Sequence, residues 1–164
     1  MSEQNTVTQF VNYIEENFTG DTQQNILGFL QHLVSIGMEV KGSFNDSHFS
    51  YKGEKVCYTY FGSSSNNPGY PEPWTVWLPD EFGEEIESIA INDRMKEVVW
   101  LNAHGCDKNC PHIKKGCSGS RKILGRKFDR LCQTPIGFTN PNAEAVECAK
   151  KLMEMRKHAI DSKE

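Results

Sequence analysis

The feature that most constrains this chain is a cluster of cysteine and histidine residues in its second half. Four of the six cysteines and two of the five histidines lie in the stretch from His104 to Cys132. Thiolate and imidazole groups gathered in so short a stretch are the ligands that zinc and iron sites use. The sequence therefore predicts metal or thiol chemistry in residues 104–132. The expected metal ligands are Cys106, Cys110, Cys117 and Cys132, with His104 and His112 as alternates.

The spacing of these cysteines leaves more than one kind of chemistry open. Cys106 and Cys110 are separated by three residues, as in one half of a structural zinc site, whereas Cys117 and Cys132 stand 15 positions apart. We favour a structural zinc ion, because a polar segment buries little apolar area and metal ligation would supply the free energy that orders it. A redox pair formed by Cys106 and Cys110, or thiols without a metal, are the alternatives. Iron and copper(I) also suit thiolate-rich sites.

Length and composition indicate one soluble globular domain. The chain has 164 residues, of which 37% are hydrophobic and 24% charged, values typical of a globular protein. The N-terminal residues show neither the basic segment nor the apolar segment of a signal peptide. No apolar run approaches the roughly 20 residues of a transmembrane helix. We therefore expect a cytoplasmic protein without a membrane partner, in which cysteines stay reduced.

The charge is unevenly distributed along the sequence. The chain as a whole has a net charge of −4, yet residues 104–132 contain eight basic and two acidic side chains. One interpretation is a binding surface for an anionic partner in residues 108–130, with affinity that falls as salt rises. Another is that these cations balance the acidic N-terminal part and a thiolate site. The sequence has no RNA-stacking motif or recognition-helix pattern, so it does not favour nucleic acid.

Apolar periodicity predicts two N-terminal helices and two later ones. The first two carry apolar residues at helical spacing, and glycine follows the second at Gly37, where a helix C-cap glycine belongs. Gly105 is expected to end the third helix in the same way, and Asn140-Pro141 is expected to start the last. A short acidic helix is expected over 81–88. The four main helices are predicted at residues 8–18, 22–36, 93–103 and 141–158.

Alternating and aromatic-rich segments predict an antiparallel sheet. The strands are expected at residues 38–41, 44–52, 54–62, 74–78, 121–124, 127–132 and 136–139, with a hairpin turn at Gly125-Arg126. Helices and strands in this order, without repeats or a linker, indicate the α+β class. We predict a single domain over residues 1–164 with helices packed on one mostly antiparallel sheet. This domain contains the Cys-rich loop 104–132.

Aromatic residues on the predicted strands suggest a second site. The strand over 54–62 has bulky residues on both faces, and one face is free to line an apolar pocket with tyrosine hydroxyls as polar groups. The predicted ligand-binding residues are Tyr58, Tyr60, Trp74 and Trp77. The alternative, which we favour, is that helices cover both faces of the sheet.

Catalytic motifs are missing from the sequence. It contains no Gly-x-Ser-x-Gly, no phosphate-binding loop and no dinucleotide fingerprint. An enzyme is therefore not the favoured interpretation.

The second half resembles a family of small, uncharacterised bacterial proteins. The resemblance covers roughly residues 92–160. It rests on the cysteine loop, the segment Gly125-Arg-Lys-Phe-Asp-Arg-Leu-Cys132, Asn140-Pro141 and the closing helix. The family's loop reads Cys-x2-Cys-Gly-x-Cys-x-Pro-Gly, whereas this chain has Cys106-x3-Cys110 and Cys117-Ser-Gly119. The resemblance implies a bacterial protein with a shared fold and loop, and it implies no reaction.

Together these features predict a cytosolic binding module with a structural zinc ion in its Cys-rich loop. Its ligand would be a small molecule or a protein. The alternatives are a thiol-based redox protein that uses Cys106 and Cys110, or a small-molecule-binding domain with an aromatic pocket and no metal.

Overall fold

A computed structural model describes residues 3–62, 74–79, 82, 85–105 and 119–163. Four predicted ligands, Cys106, Cys110, His112 and Cys117, lie outside these residues, as do residues 81, 83 and 84 of the acidic helix predicted over 81–88. The helices are α1 (Glu3–Asn17), α2 (Gly20–Ser35), α3 (Asp93–Leu101) and α4 (Ala143–Asp161), with a 3-10 turn at Ile86–Ser88. The strands are β1 (Glu39–Ser43), β2 (Asp46–Tyr51), β3 (Glu54–Phe61), β4 (Trp74–Trp77), β5 (Ala103–Gly105), β6 (Gly119–Ile123) and β7 (Arg126–Thr139).

The α+β class is confirmed, with helices packed on an antiparallel sheet. The chain forms two compact units, one made of residues 1–76 with 138–164 and the other of residues 77–137. The assignment of one domain to residues 1–164 stays a prediction. No helix within the described ranges is long and apolar enough to cross a membrane.

In the first unit, α1 and α2 cover one face of the strands in the order β1-β2-β3-β4. Phe29 of α2 contacts both Phe49 and Trp74, and Phe10 of α1 contacts Phe61 edge-on. Helix α4 packs on α2 and β3. The apolar stripes predicted for the helices are confirmed as core: the buried residues include Phe10, Ile14, Ile26, Leu30, Leu33, Ala149 and Leu152.

Two turn features of this unit follow directly from glycine chemistry. Gly37 has φ +86, and the hydrogen bonds from Gly37 N to Val34 O and from Met38 N to Leu33 O, each 3.0 Å, end α2 in a Schellman motif. The C-cap prediction at Gly37 is therefore confirmed. Lys52 and Gly53, with φ 50 and 83, connect β2 to β3 in the two-residue turn whose twist matches that of a hairpin.

In the second unit, β7 pairs with β5 and β6. The sequence predicted two strands over 127–132 and 136–139, which was wrong because one strand, β7, spans both. The turn between β6 and β7 lies at Leu124-Gly125, with φ 49 and 84, one residue earlier than predicted. Only glycine takes the second left-handed position of this turn at no cost, so Gly125 sets the register.

Two predicted helix ends were also wrong. Gly105 does not end α3, since Asn102 is the last cap residue and Gly105 belongs to β5. Asn140 does not cap α4: it has φ 41, and its N–H donates to Trp74 O at 2.8 Å. The cap is Asn142, whose side chain accepts a hydrogen bond of 2.9 Å from Ala145 N. Local sequence did not separate these two asparagines, because both precede helical residues closely.

Candidate metal centre

Leu131 of β7 is the point at which the Cys-rich segment leaves and rejoins the sheet. Gly105, at the end of β5, and Gly119, at the start of β6, are both paired with Leu131. A strand has two edges, so a residue that pairs with two strands has one on each side, and neighbouring strands lie about 4.8 Å apart. The residues that precede and follow segment 106–118 are therefore held about 10 Å apart, and Cys132 comes directly after Leu131.

A bulge in β7 lies beside this point. Ala103 pairs with Ile136 and Gly105 with Leu131, so the four residues Cys132–Pro135 of β7 stand opposite His104 alone. Proline has no N–H to donate to a strand neighbour, and in sheets it is confined to edges and bulges. The two described members of the predicted ligand set therefore lie on adjacent strands, with His104 of β5 opposite a bulge of β7 that begins at Cys132.

His104 is partly buried against an aromatic ring. The ring centroids of Trp77 and His104 are 4.6 Å apart. Trp77 comes from β4, and a Cβ at Gly137 of β7 would lie less than 3 Å from three atoms of its ring. Because Gly137 has no side chain, the indole extends across β7 toward β5. Burial lowers the pKa of His104 below its ordinary value of 6.5, so the imidazole is neutral at pH 7 and has a nitrogen lone pair to offer.

The described residues alone do not complete a metal site. Within the ranges that the structure covers, no three Cys, His, Asp or Glu side chains gather closely enough to hold a metal ion. Cys132 is half-buried on β7. The remaining predicted ligands belong to residues 106–118, so the assignment of Cys106, Cys110, Cys117 and His112 stays a prediction.

The two other cysteines are unlike Cys132. Cys57 lies on β3 and Cys148 on α4, and both are buried. Burial raises the pKa of the Cys57 thiol far above its ordinary value and that of Cys148 to about 12. Both therefore stay protonated at neutral pH, and a protonated buried thiol is neither a nucleophile nor a metal ligand. Cys57 and Cys148 are therefore small residues of the core.

Three of the predicted ligand-binding aromatics, Trp74, Tyr58 and Tyr60, do not share one face of the sheet. Trp74 is fully buried and stacks on Phe61 with a centroid distance of 6.2 Å, under the helices of the first unit. Tyr58 and Tyr60 alternate with Phe61 along β3 and so face the other way. Trp77 belongs to the second unit, where it contacts His104. A ligand pocket at these residues stays a prediction.

Comparison of the chain with models of known protein families, with curated proteins and with solved structures finds no match. The assignment of function therefore rests on the geometry of the site.

The contribution of Trp77 and Gly137 to the His104 environment was missed by the sequence analysis. A signal was present in Pro135 and Gly137, both inside a stretch of strand-forming residues. Proline there indicates a bulge, and glycine inside a strand indicates a close approach by another group. The partner that makes the approach is more than 50 positions away in sequence, which no local pattern identifies.

Proposed function

We propose that this chain is a cytoplasmic binding module in which one zinc ion fixes the Cys-rich segment to the edge of β7. The ligands would be Cys132 together with Cys106, Cys110 and Cys117, with His104 or His112 as a substitute for one of them. The metal would have a structural role. The bound partner would be a small molecule or another protein.

The observation that carries this proposal is the double pairing of Leu131. Gly105 and Gly119 flank Leu131, the residue before Cys132. Segment 106–118, which contains the other three cysteines, therefore begins and ends close to Cys132. A tetrahedral zinc site needs ligands from chain segments that return to one point, at zinc–sulfur distances of about 2.3 Å. The backbone pairing provides such a return without any contribution from the metal.

The environment of His104 is consistent with a metal nearby. A neutral imidazole can bind zinc or accept a hydrogen bond from a ligating group, whereas a protonated one repels the cation. Segment 119–132 contains five basic side chains and one acidic one. A cationic environment lowers the pKa of nearby thiols and favours the thiolate form that zinc requires. Zinc bound by four thiolates would in turn offset part of this positive charge with a net charge of −2.

The test is the zinc content of the purified, untagged chain, expressed as zinc atoms per chain. We expect about one zinc for the wild-type protein and a clear loss for Cys132→Ser, with a lower melting temperature. Cys148→Ala is the matched control, because it removes a buried cysteine from a helix and should leave the zinc content unchanged. Wild-type protein without metal, or Cys132→Ser with undiminished metal, would contradict the proposal.

A second measurement separates the structural role from thiol redox chemistry. The rate of iodoacetamide alkylation as a function of pH reports reactive, low-pKa thiols. Zinc-bound thiolates react slowly until a chelator removes the metal. If Cys106 and Cys110 react quickly in protein that contains zinc, the redox interpretation replaces the structural one.

A further inference from the structure

The β6–β7 hairpin (residues 119–131) has an unusual concentration of positive charge. It contains one acidic side chain, Asp129, and five basic ones, Arg121, Lys122, Arg126, Lys127 and Arg130. Four of the basic side chains form no ion pair with an acidic residue in the described part of the chain: Lys122, Arg126, Lys127 and Arg130. Glu87, which lies beside the turn, accepts a hydrogen bond of 3.3 Å from Gly125 N instead.

Two of these cations are placed where they cost stability. Lys122 and Lys127 are directly opposite each other across the hairpin, and both are exposed. Like charges at directly opposite positions of an antiparallel pair repel each other and destabilise the hairpin. A hairpin selected for stability alone would carry a neutral or oppositely charged residue at one position. An anionic partner that lies along the hairpin would remove this repulsion.

Arg126 adds a planar, aromatic-backed group to the same hairpin. Its guanidinium carbon lies 5.7 Å from the ring centroid of Trp100 and 5.3 Å from that of Phe128. The Trp100 ring is fixed in turn, since its Nε1 donates a hydrogen bond of 2.8 Å to Ile123 O. Arg126 is exposed, and Trp100 and Phe128 are half-buried. The guanidinium is therefore held by two rings and still accessible to solvent.

We propose that the β6–β7 hairpin binds single-stranded nucleic acid. A base would stack on the Arg126–Phe128–Trp100 group, and Arg130 would contact a phosphate. Lys122 and Lys127 alternate with Arg126 and Phe128 and so lie on the opposite face of the hairpin, where they would contact phosphates of a strand that passes around the hairpin edge. Unstacked bases pack on arginine planes and aromatic rings in single-stranded complexes. In a duplex the bases are stacked on each other, so no base is available to pack on the Arg126–Phe128–Trp100 group. A protein partner with an acidic surface would use the cations but would not need the aromatic-backed plane, so the structure favours nucleic acid.

This inference is independent of the zinc proposal, because it uses only residues of the hairpin and Trp100. It also differs from the sequence-based expectation, which did not favour nucleic acid for lack of a stacking motif. The stacking group is formed by Trp100 and Phe128, 28 positions apart, and no short motif contains both.

The test is binding of fluorescently labelled 20-nucleotide oligo(U) and oligo(dT) to the full chain, measured by anisotropy between 50 and 300 mM salt at about 10 µM protein and above. The proposal predicts saturable binding that weakens steeply with salt. Lys122→Gln/Lys127→Gln should weaken binding and reduce the salt slope by about 0.7 for each phosphate that the variant no longer neutralises. The control is Lys150→Gln/Lys151→Gln on α4, which changes net charge equally and should leave binding unchanged.

The decisive variant is Arg126→Lys, which keeps the charge and removes the plane. The stacking proposal predicts affinity about fivefold or more lower than wild type, with an unchanged salt slope. Melting temperature and zinc content serve as checks that the variant is folded, and both should equal those of the wild type. Wild-type affinity in Arg126→Lys, equal binding of heparin and oligonucleotide, preference for a duplex, or no binding at 50 mM salt would each overturn the proposal.

Discussion

At the scale of single residues, the absence of a side chain at Gly137 is what allows Trp77 to reach His104. A methyl group at Gly137 would overlap the indole ring, so the ring must move or the strand must shift. We expect Gly137→Ala to destabilise the protein by about 1–3 kcal/mol, the usual cost of overpacking. Chemical denaturation measures this directly.

A matched control and an independent readout are available for this substitution. Gly119→Ala changes another strand glycine, where a Cβ would meet nothing within 4 Å, and we expect little change in stability. Displacement of Trp77 should also return water to His104 and raise its pKa toward 6.5, which histidine proton NMR reports. An unchanged His104 pKa and unchanged stability in Gly137→Ala would show that the indole does not shield the imidazole.

Asp161 is the residue at which stability should depend most directly on acid pH. Its carboxylate accepts hydrogen bonds from Tyr51 Oη at 3.0 Å and Lys157 Nζ at 3.3 Å, and it pairs with Lys52 Nζ at 2.8 Å. The hydrogen bond from Lys52 contributes most to a pKa lowered from 3.8 to about 2, with Tyr51 and Lys157 adding to it. The folded state therefore prefers the ionised carboxyl more strongly than the unfolded state does.

The sign of the pH effect follows from this difference. A carboxyl with a depressed pKa in the folded state contributes stability that is fully present above about pH 4 and is lost as the pH falls toward 2. We expect Asp161→Asn to lower stability at pH 7 and to flatten the loss between pH 4 and 2. Urea unfolding at several pH values tests this, with Asp129→Asn on the exposed hairpin as the control. An unchanged pH profile for Asp161→Asn would contradict the assignment.

At the scale of secondary-structure elements, α4 depends on a single side-chain cap. The Asn142 carbonyl oxygen accepts the hydrogen bond from Ala145 N, one of the four N–H groups that a helix start leaves without a backbone partner. We expect Asn142→Ala to cost about 1 kcal/mol and Asn142→Ser to restore most of it. Thermal unfolding of both variants is the measurement. Equal stability of the alanine and serine variants would show that another group satisfies Ala145 N.

The elements also show how far sequence reasoning reaches. Helices α1 and α2, the Gly37 cap and strand β3 were predictable because their signals are local: apolar spacing, a glycine in the left-handed region, and alternation. Strand β5 was not predictable, because three residues form a strand only through partners on β7 that are 26 and 33 positions away. Long-range pairing also explains why the helix cap is Asn142 and not Asn140. Asn140 has a positive φ, and its N–H donates a hydrogen bond to Trp74 O, a partner distant in sequence.

In the candidate site, too, local features were predictable from the sequence and long-range features were not. The clustering of cysteines and histidines identified residues 104–132 from spacing alone, and the structure places His104 opposite the bulge that begins at Cys132. The double pairing of Leu131 and the Trp77–His104 contact depend on strand order, which a local pattern does not encode. The sequence did not favour nucleic acid for a related reason, because the proposed stacking group comes from two separate elements.

At the scale of the whole molecule, the two compact units should respond differently to metal removal. If zinc joins segment 106–118 to Cys132, the loss of zinc should lower the local stability of the second unit alone, because both belong to that unit. We expect a chelator to reduce hydrogen-exchange protection at β5 and around Leu131, and to leave α2 as it was. Mass spectrometry of peptides from both units, before and after chelation, is the measurement. Equal loss in the two units, or no change once zinc has been removed, would contradict this expectation.

The pairing of Gly105 and Gly119 with the same residue has a consequence for how the chain tolerates change. The segment between them starts and finishes at fixed neighbouring points, so its length is uncoupled from the register of β5, β6 and β7. Closing a longer connection between fixed ends costs little, since the entropy grows only with the logarithm of length. A change of length within residues 106–118 that keeps Cys106, Cys110 and Cys117 should therefore leave the alignment of the strands on either side unchanged.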